Sequence, residues 1–314
     1  MVRLKTNTII AGIDGGASKT VALIANTNGR ILGKGKAGPS NYHNVGVKAA
    51  ALAIETALKR ARSNARTTER PEIAVVALAG IDSRNDMISA SRFVKNAKIA
   101  QTSIVIHDSV AALYAATKGR PGLVVNSGTG SFAAGVNRNG AYARAGGWGY
   151  IVSDEGSAYD IGLKAIKIAF RSFDGREKYT ELSTILKQRF RIKQIDDLVT
   201  HLYTVGLSVE QIAALAPSVI RSARKDMISR RIVIEAGTAL GEIACAVAIR
   251  LHMASDKFPV VAVGGNFRSG DYLLQALKAR IKQSCPNARV IQMNLEPALG
   301  SLSMALKVFE KQQR

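Results

Sequence analysis

With 314 residues, 47% of them hydrophobic, the chain is large enough to exceed a single core and is expected to fold as two lobes. The 44 Lys and Arg against 23 Asp and Glu leave a formal charge of +21, which welcomes phosphate-bearing partners. Aromatics are only 5%, and the basic residues are scattered over helix-like stretches such as Lys59, Arg60, Arg62 and Arg66, so solvated helix faces explain the charge better than a nucleic-acid platform does.

In chain order, residues 8–14, 20–25 and 31–36 are β-branched or apolar runs that predict three strands, with an Asn28-Gly29 hairpin between the last two. The apolar run 9–12 is too short for a secretory signal. A helix is predicted over 46–66, a buried strand over 73–78, a helix over 84–96, and a strand over 103–106 that ends at His107-Asp108. This alternation is that of an α/β layered lobe. After the breaker cluster Gly119-Arg120-Pro121-Gly122 the opening pattern returns: strand 123–126, a glycine-rich turn, strand 132–137, an Asn-Gly turn, strand 141–145. That repetition predicts an internal duplication. Helices then fill 159–255, followed by strand 259–263, helix 271–282, strand 290–293 and helix 299–311. No stretch approaches the ~20 apolar residues of a membrane span. Cys245 and Cys285 are far apart and lie in no CxxC-type pattern, which leaves disulfide frameworks, zinc ribbons and iron–sulfur clusters without support and suits a reducing cytoplasm.

Four stretches can carry chemistry. Asp14-Gly15-Gly16-Ala17-Ser18-Lys19-Thr20 lies between two strands, where backbone N–H groups and a hydroxyl can surround a phosphate, although a strand rather than a helix follows, so it is no Walker A loop. Ser127-Gly128-Thr129-Gly130-Ser131 repeats that arrangement, and two such turns facing across a cleft would grip a triphosphate. Asp108 ends the last strand of the first lobe, where ligands gather in open α/β sheets and where an aspartate can take a proton from a hydroxyl under phosphoryl transfer; it also suits a helix N-cap. From Gly146 to Gly162 the chain holds its only tryptophan, Trp148, together with Asp154, Glu155 and Asp160, which suits either a ligand site or a glycine turn leading into a helix capped by Ser153, Asp154 and Glu155.

Asp14-Gly-Gly-Ala-Ser-Lys, His107-Asp108, Asn126-Ser-Gly-Thr-Gly-Ser, Gly147-Trp-Gly followed by Asp154-Glu-Gly-Ser-Ala, and Gly264-Gly-Asn, in that order, resemble the BadF/BadG/BcrA/BcrD ATPase family over essentially the whole chain. The Gly-Gly-Trp-Gly and Asp-Glu-Gly-Ser-Ala pair resembles its N-acetylglucosamine kinase branch, which also includes archaeal hexokinases. The resemblance implies an α/β fold of two actin-like, ribonuclease H-like lobes, each a mixed central sheet flanked by helices, with nucleotide and sugar in the cleft between them. Lobe bounds of 1–118 and 119–301 are expected, with a helix near 302–314 packing back on the first lobe. It implies a cytoplasmic, ATP- and Mg²⁺-dependent kinase that transfers the γ-phosphate to the 6-hydroxyl of a hexose or amino sugar.

By the same resemblance Asp14 would hold Mg²⁺ through water, and Gly16 and Ser18 would touch the β- and γ-phosphates. Gly128, Thr129 and Gly130 would form the second phosphate turn, and Gly237, Gly264, Gly265 and Asn266 would frame adenosine. Asn41, Gly147, Trp148 and Asp154 would bind the sugar, and Asp108 would be the base. Ser18 stands where threonine is common in the family and keeps the hydroxyl, while Tyr42-His43 follow Asn41 where parts of the branch carry other side chains. The family's ATPase activators of reductases and dehydratases need cysteines to share a cluster, which neither Cys245 nor Cys285 is placed to do, and a non-catalytic sugar or nucleotide sensor would not need both aspartates and both turns. A small-molecule sugar is the expected partner, nucleic acid and membrane are not, and a homodimer is left open.

Overall fold

The computed structural model describes residues 8–81 and 83–313 and divides into two compact units, Met1–Arg120 with Leu295–Arg314, and Pro121–Asn294. In chain order the first unit holds β1 (Ile9–Gly15), β2 (Thr20–Asn26), β3 (Ile31–Ala37), α1 (Tyr42–Val45), α2 (Val47–Asn64), β4 (Ile73–Leu78), α3 (Arg84–Asn96), β5 (Thr102–His107) and α4 (Asp108–Thr117). The second holds β6 (Gly122–Ser127), β7 (Ser131–Val136), β8 (Tyr142–Gly146), α5 (Ala158–Phe173), α6 (Glu181–Phe190) and α7 (Leu198–Thr200). A π-helical turn His201–Gly206 then leads to α8 (Val209–Ala213), α9 (Ala216–Ser222), α10 (Met227–Arg250), β9 (Pro259–Val263), α11 (Asp271–Ser284) and β10 (Arg289–Gln292). Leu295 returns the chain to the first unit, where α12 (Ala298–Gln312) ends it.

The two sheets have one topology. In the first the order is β3-β2-β1-β4-β5, in the second β10-β9-β6-β7-β8, so each is an antiparallel three-strand meander extended by two parallel strands on its first member. The duplication expected from the repeated strand and turn pattern is thus present in strand order. Buried on both faces, β1, β2 and β4 are near-continuous apolar runs, whereas β3 at the edge alternates buried Gly33 and Gly35 with exposed Lys34 and Lys36.

What fixes β1 and α4 is α12. Ser301 Oγ donates to the Ile13 carbonyl at 2.9 Å, a Cβ on Gly12 would run into the Leu302 backbone, and one on Gly300 would run into the Ala111 carbonyl of α4. Buried Leu302 and Phe309 each contribute about 1.5–3 kcal/mol to that docking. The return therefore begins before residue 302, at Leu295, because α12 starts at Ala298 and its first turns make these contacts. α10 corrects a second expectation: an 18-residue window of it has a mean hydropathy of 1.8, long and apolar enough to cross a membrane by length and composition. A core helix passes the same test, and Ile232, Val233, Leu240 and Val247 of α10 are buried in the second unit.

Candidate functional site

β1, β4 and β5 run parallel and in register, with Gly15 opposite Leu78 and Leu78 opposite His107, so the chain brings Asp14 and Asp108 to the same carboxyl edge of the first sheet. Asp14 is half-buried, and its carboxyl is pushed up to about 7, first by burial and then by the negative charges of Asp108 and Glu296, with Lys19 opposing. A carboxyl that resists ionisation beside neighbouring negative charge marks a place where a divalent cation is favourable. Among the described residues no group of three His, Cys, Asp or Glu is gathered tightly enough to hold a metal by itself. A lone hard carboxylate suits Mg²⁺, which keeps most of its waters and takes phosphate oxygens. Glu296, which also pairs with Lys34, is a member of this acidic group that sequence reasoning missed; it lies at the far end of the chain, and no local pattern announces it.

Asp108 is the first residue of α4, not its cap. The N-cap is His107, whose Nδ1 faces the Ser109 N–H at 3.0 Å, the Ser109 hydroxyl at 2.6 Å and Asp108 Oδ1 at 2.9 Å. One ring nitrogen carries at most one proton and cannot serve all three, so capping occupies His107 and leaves the Asp108 carboxylate half-buried rather than spent on the helix. The β1–β2 turn closes through Gly16 N–H to Lys19 O at 2.9 Å, with Ser18 exposed at its tip. Buried Ser40 ties that turn to the following segment: its N–H donates to Gly16 O at 3.1 Å and its hydroxyl accepts from Thr20 Oγ1 at 2.8 Å. The next residue is Asn41, which caps α1 with its Oδ1 on the His43 N–H at 3.1 Å.

In the second unit the 128–130 turn is a hub. Gly128 N–H closes it onto Gly130 O at 2.9 Å, and Ala158 N–H donates to Gly128 O at 2.8 Å. Asn266, buried, donates from Nδ2 to Ser127 Oγ at 2.9 Å, and Ser127 Oγ in turn donates to Gly156 O at 2.7 Å, while Ser131 Oγ donates to Glu155 O at 2.8 Å. Gly264, at φ 114°, lies so close to Ser127 that a Cβ would overlap its carbonyl, and Gly265 faces open space beside it. Asp154 is buried, in the left-handed region at φ 68°, and a Cβ on Gly130 would come within 2.8 Å of its Oδ2. The carboxylate therefore lies on the second turn. Gly147 at φ 76° leads to half-exposed Trp148, over whose ring the Arg144 guanidinium stacks at 4.2 Å.

Ser153, Asp154 and Glu155 do not cap the helix: α5 starts at Ala158, its N-cap is Ser157, and Asp160 supplies the first-turn acid and accepts from Gly156 N–H at 2.9 Å. Glu155 contributes its backbone carbonyl and leaves its side chain exposed. Gly237 sits inside α10 where a Cβ would collide with the Leu273 carbonyl and the Ala276 methyl of α11, so the helix crossing alone is enough to require glycine there. Cys245 and Cys285, distant in sequence, are buried neighbours in the second unit, and the Cys285 thiol is pushed up to about 11 by burial and then by Cys245.

The model of the BadF/BadG/BcrA/BcrD ATPase family matches residues 11–305. An N-acetylmuramic acid/N-acetylglucosamine kinase of Clostridium acetobutylicum is 31% identical over 299 residues, covering 94% of this chain and 97% of its own. An N-acetyl-D-glucosamine kinase of Dictyostelium discoideum is 30% identical over 311 residues, 95% of this chain and 98% of its own. Among solved structures, a Chromobacterium violaceum protein described as an N-acetylglucosamine kinase superposes with a TM-score of 0.79 at 26% identity, covering 96% of this chain and all of that one. The paired sheets, each flanked by helices, are the two lobes of the actin-like ATPase fold. With matching sequence along nearly its full length and this fold beneath it, the chain belongs to the BadF/BadG/BcrA/BcrD ATPase family.

Proposed function

We propose that the protein is an ATP-dependent sugar kinase that transfers the γ-phosphate to the 6-hydroxyl of a hexose or amino sugar, of the N-acetylglucosamine class first. The observation that carries it is the Asp14 and Asp108 pair at one sheet edge of a chain that aligns end to end with two N-acetylglucosamine kinases. Asp108 takes the hydroxyl proton, because it is a half-buried carboxylate not consumed by capping. Asp14 would hold Mg²⁺, which would supply neutralisation of phosphate charge. Ser18 at the tip of the first turn, and Thr129 and Gly130 in the second, meet the phosphates with hydroxyls and backbone N–H groups, while Gly16 and Gly128, whose N–H groups close the turns, let phosphate approach the backbone. Gly264, Gly265 and Asn266 frame adenosine, and Gly264 and Asn266 also support the second turn through Ser127. Asn41, Gly147, Trp148 and Asp154 recognise the sugar, Trp148 by its exposed ring face and Asp154 by a carboxylate that accepts from hydroxyls.

The family's other activity, activating a reductase or dehydratase through a shared cluster, finds no support in two cysteines that are both buried inside one unit. A coupled ADP-release assay across N-acetylglucosamine, glucosamine, glucose and N-acetylmannosamine tests the proposal, with phosphorus NMR locating the phosphate. Sugar-dependent ADP release with a 6-phosphate product is expected, and it is lost by orders of magnitude in Asp108→Asn while ATP still binds. Absence of sugar-dependent turnover in the wild type refutes the proposal.

A further inference from the structure

Tyr42 and His43 have no part in the chemistry above, yet both converge on a single carboxylate. Asp86, in the first turn of α3, accepts from Tyr42 Oη at 2.6 Å on Oδ1, which also lies 3.2 Å from His43 Nε2. Its Oδ2 accepts from the Ser83 N–H at 2.8 Å and the Ser83 hydroxyl at 2.7 Å, the reciprocal half of a capping box. Three hydrogen bonds, with the His43 ring beside them, make this the best-satisfied acid among the described residues of the first unit and hold its carboxyl down to about 2, Tyr42 contributing most. The Tyr42 ring is further held edge-on against Phe93 at 5.8 Å and tilted against the His43 ring at 4.2 Å.

This brace acts on the residue just before it. Asn41 Oδ1 is committed to the His43 N–H, and it presses on Gly80, where a Cβ would stand 2.6 Å from it. Gly80 is at φ 81°, so the position favours glycine on both counts. With Oδ1 occupied, the amide of Asn41 cannot flip, and what it offers a ligand is the Nδ2 donor pair. A substrate atom meeting Asn41 is then an acceptor oxygen, a hydroxyl or an acetamido carbonyl.

We infer that Asp86 is a positioning residue for substrate recognition: through Tyr42 and His43 it locks Asn41 in the orientation that presents Nδ2 to an acceptor oxygen of the sugar. The inference rests on the kinase reading. Its test is steady-state kinetics with N-acetylglucosamine and ATP varied separately, together with Tm, on the wild type, Asp86→Ala, Tyr42→Phe and the double variant. Tyr42→Phe removes only the hydroxyl and keeps the ring on Phe93, so it stays folded if Asp86→Ala does not. The sugar KM rises about tenfold in Tyr42→Phe, the loss of one charge-assisted hydrogen bond, and at least as much in Asp86→Ala, which also releases His43 and the Ser83 half of the capping box, while kcat and the ATP KM stay within about twofold. The double variant is no worse than Asp86→Ala, since both changes break one link. An unchanged sugar KM in folded Tyr42→Phe, or equal shifts in sugar KM, ATP KM and kcat, overturns the inference and leaves the kinase reading standing. A wild type that phosphorylates no sugar overturns both.

Discussion

Gly264→Ala is the sharpest single test of the second turn. The residue follows β9, stands at φ 114°, and a Cβ there would overlap the Ser127 carbonyl and crowd its carbon and nitrogen. Backbone cannot yield as the tip of a long side chain can, so two costs add. Holding an L-residue at positive φ costs about 1–2 kcal/mol, and forcing a methyl into a filled space costs about 1–3 kcal/mol more. The sum is roughly 2–5 kcal/mol, which for a unit of this size is a fall in Tm of roughly 4–20 °C. The strain is also directional. It bears on Ser127, whose hydroxyl connects Asn266 to Gly156, so the turn that follows must shift even in molecules that remain folded. Calorimetry and kinetics on the same preparation separate the effects: Tm falls and the ATP KM rises at a temperature where the variant is fully folded. A Gly264→Ala protein with wild-type Tm and ATP KM refutes the assignment of this glycine to the support of the turn.

Gly237→Ala inserts a methyl between α10 and α11 and lowers stability by about 1–3 kcal/mol in denaturant unfolding with the ATP KM unchanged; a higher ATP KM at unchanged stability would place the residue against the nucleotide instead. Asp86 has a folded-state value near 2 against an ordinary 3.8, so the stability it contributes is present above about pH 4 and is lost as pH falls through 2. Because the group is partly solvated, that contribution is about 1–2 kcal/mol after screening, and Asp86→Asn should narrow the stability gap to wild type as urea titrations move from pH 6 to pH 2. Cys285, buried beside Cys245 and pushed up to about 11, should react with a disulfide reagent only as fast as the second unit opens, and at full speed in denaturant; rapid labelling of the native protein contradicts the burial.

Much of this fold is legible in the sequence because its decisive elements are buried on both faces. The apolar run 73–78 could be nothing but a central strand, and β4 has those bounds; α3 begins at Arg84 because Ser83 and Asp86 form a capping box around it. Where signals crowd, sequence reading slips. Ser153, Asp154, Glu155 and Ser157 all suit a helix start, and what selects Ser157 is Gly156 at φ 76°, packed where a side chain would strike the Ala236 carbonyl, a tertiary fact absent from any local window. α1 is four residues long and below any periodicity. Gly237 reads alike as a ligand contact or a packing contact, because a glycine in a helix states only that something approaches closely. Glu296 reaches Asp14 through the return of the chain, which no spacing rule encodes.

The two glycine turns look equivalent in sequence, and their anchorage shows what the duplication kept. In the first unit buried Ser40 binds the β1–β2 turn and is followed by Asn41, so the segment expected to meet the sugar hangs from the turn expected to meet phosphate. In the second unit Ser127 and Ser131 flank the 128–130 turn and hold the carbonyls of Gly156 and Glu155, the residues just after Asp154. Different residues thus solve one problem twice: a buried hydroxyl ties a glycine turn to the segment proposed to recognise the sugar. Buried hydroxyl bonds are costly to leave unmade, so neither segment can move without disturbing its own turn. On the proposed assignment, the sugar segment and the phosphate turn of each unit are mechanically one element, and a substitution at Ser40 or Ser127 should couple the two KM values that substitutions at Asn41 or Thr129 leave separate.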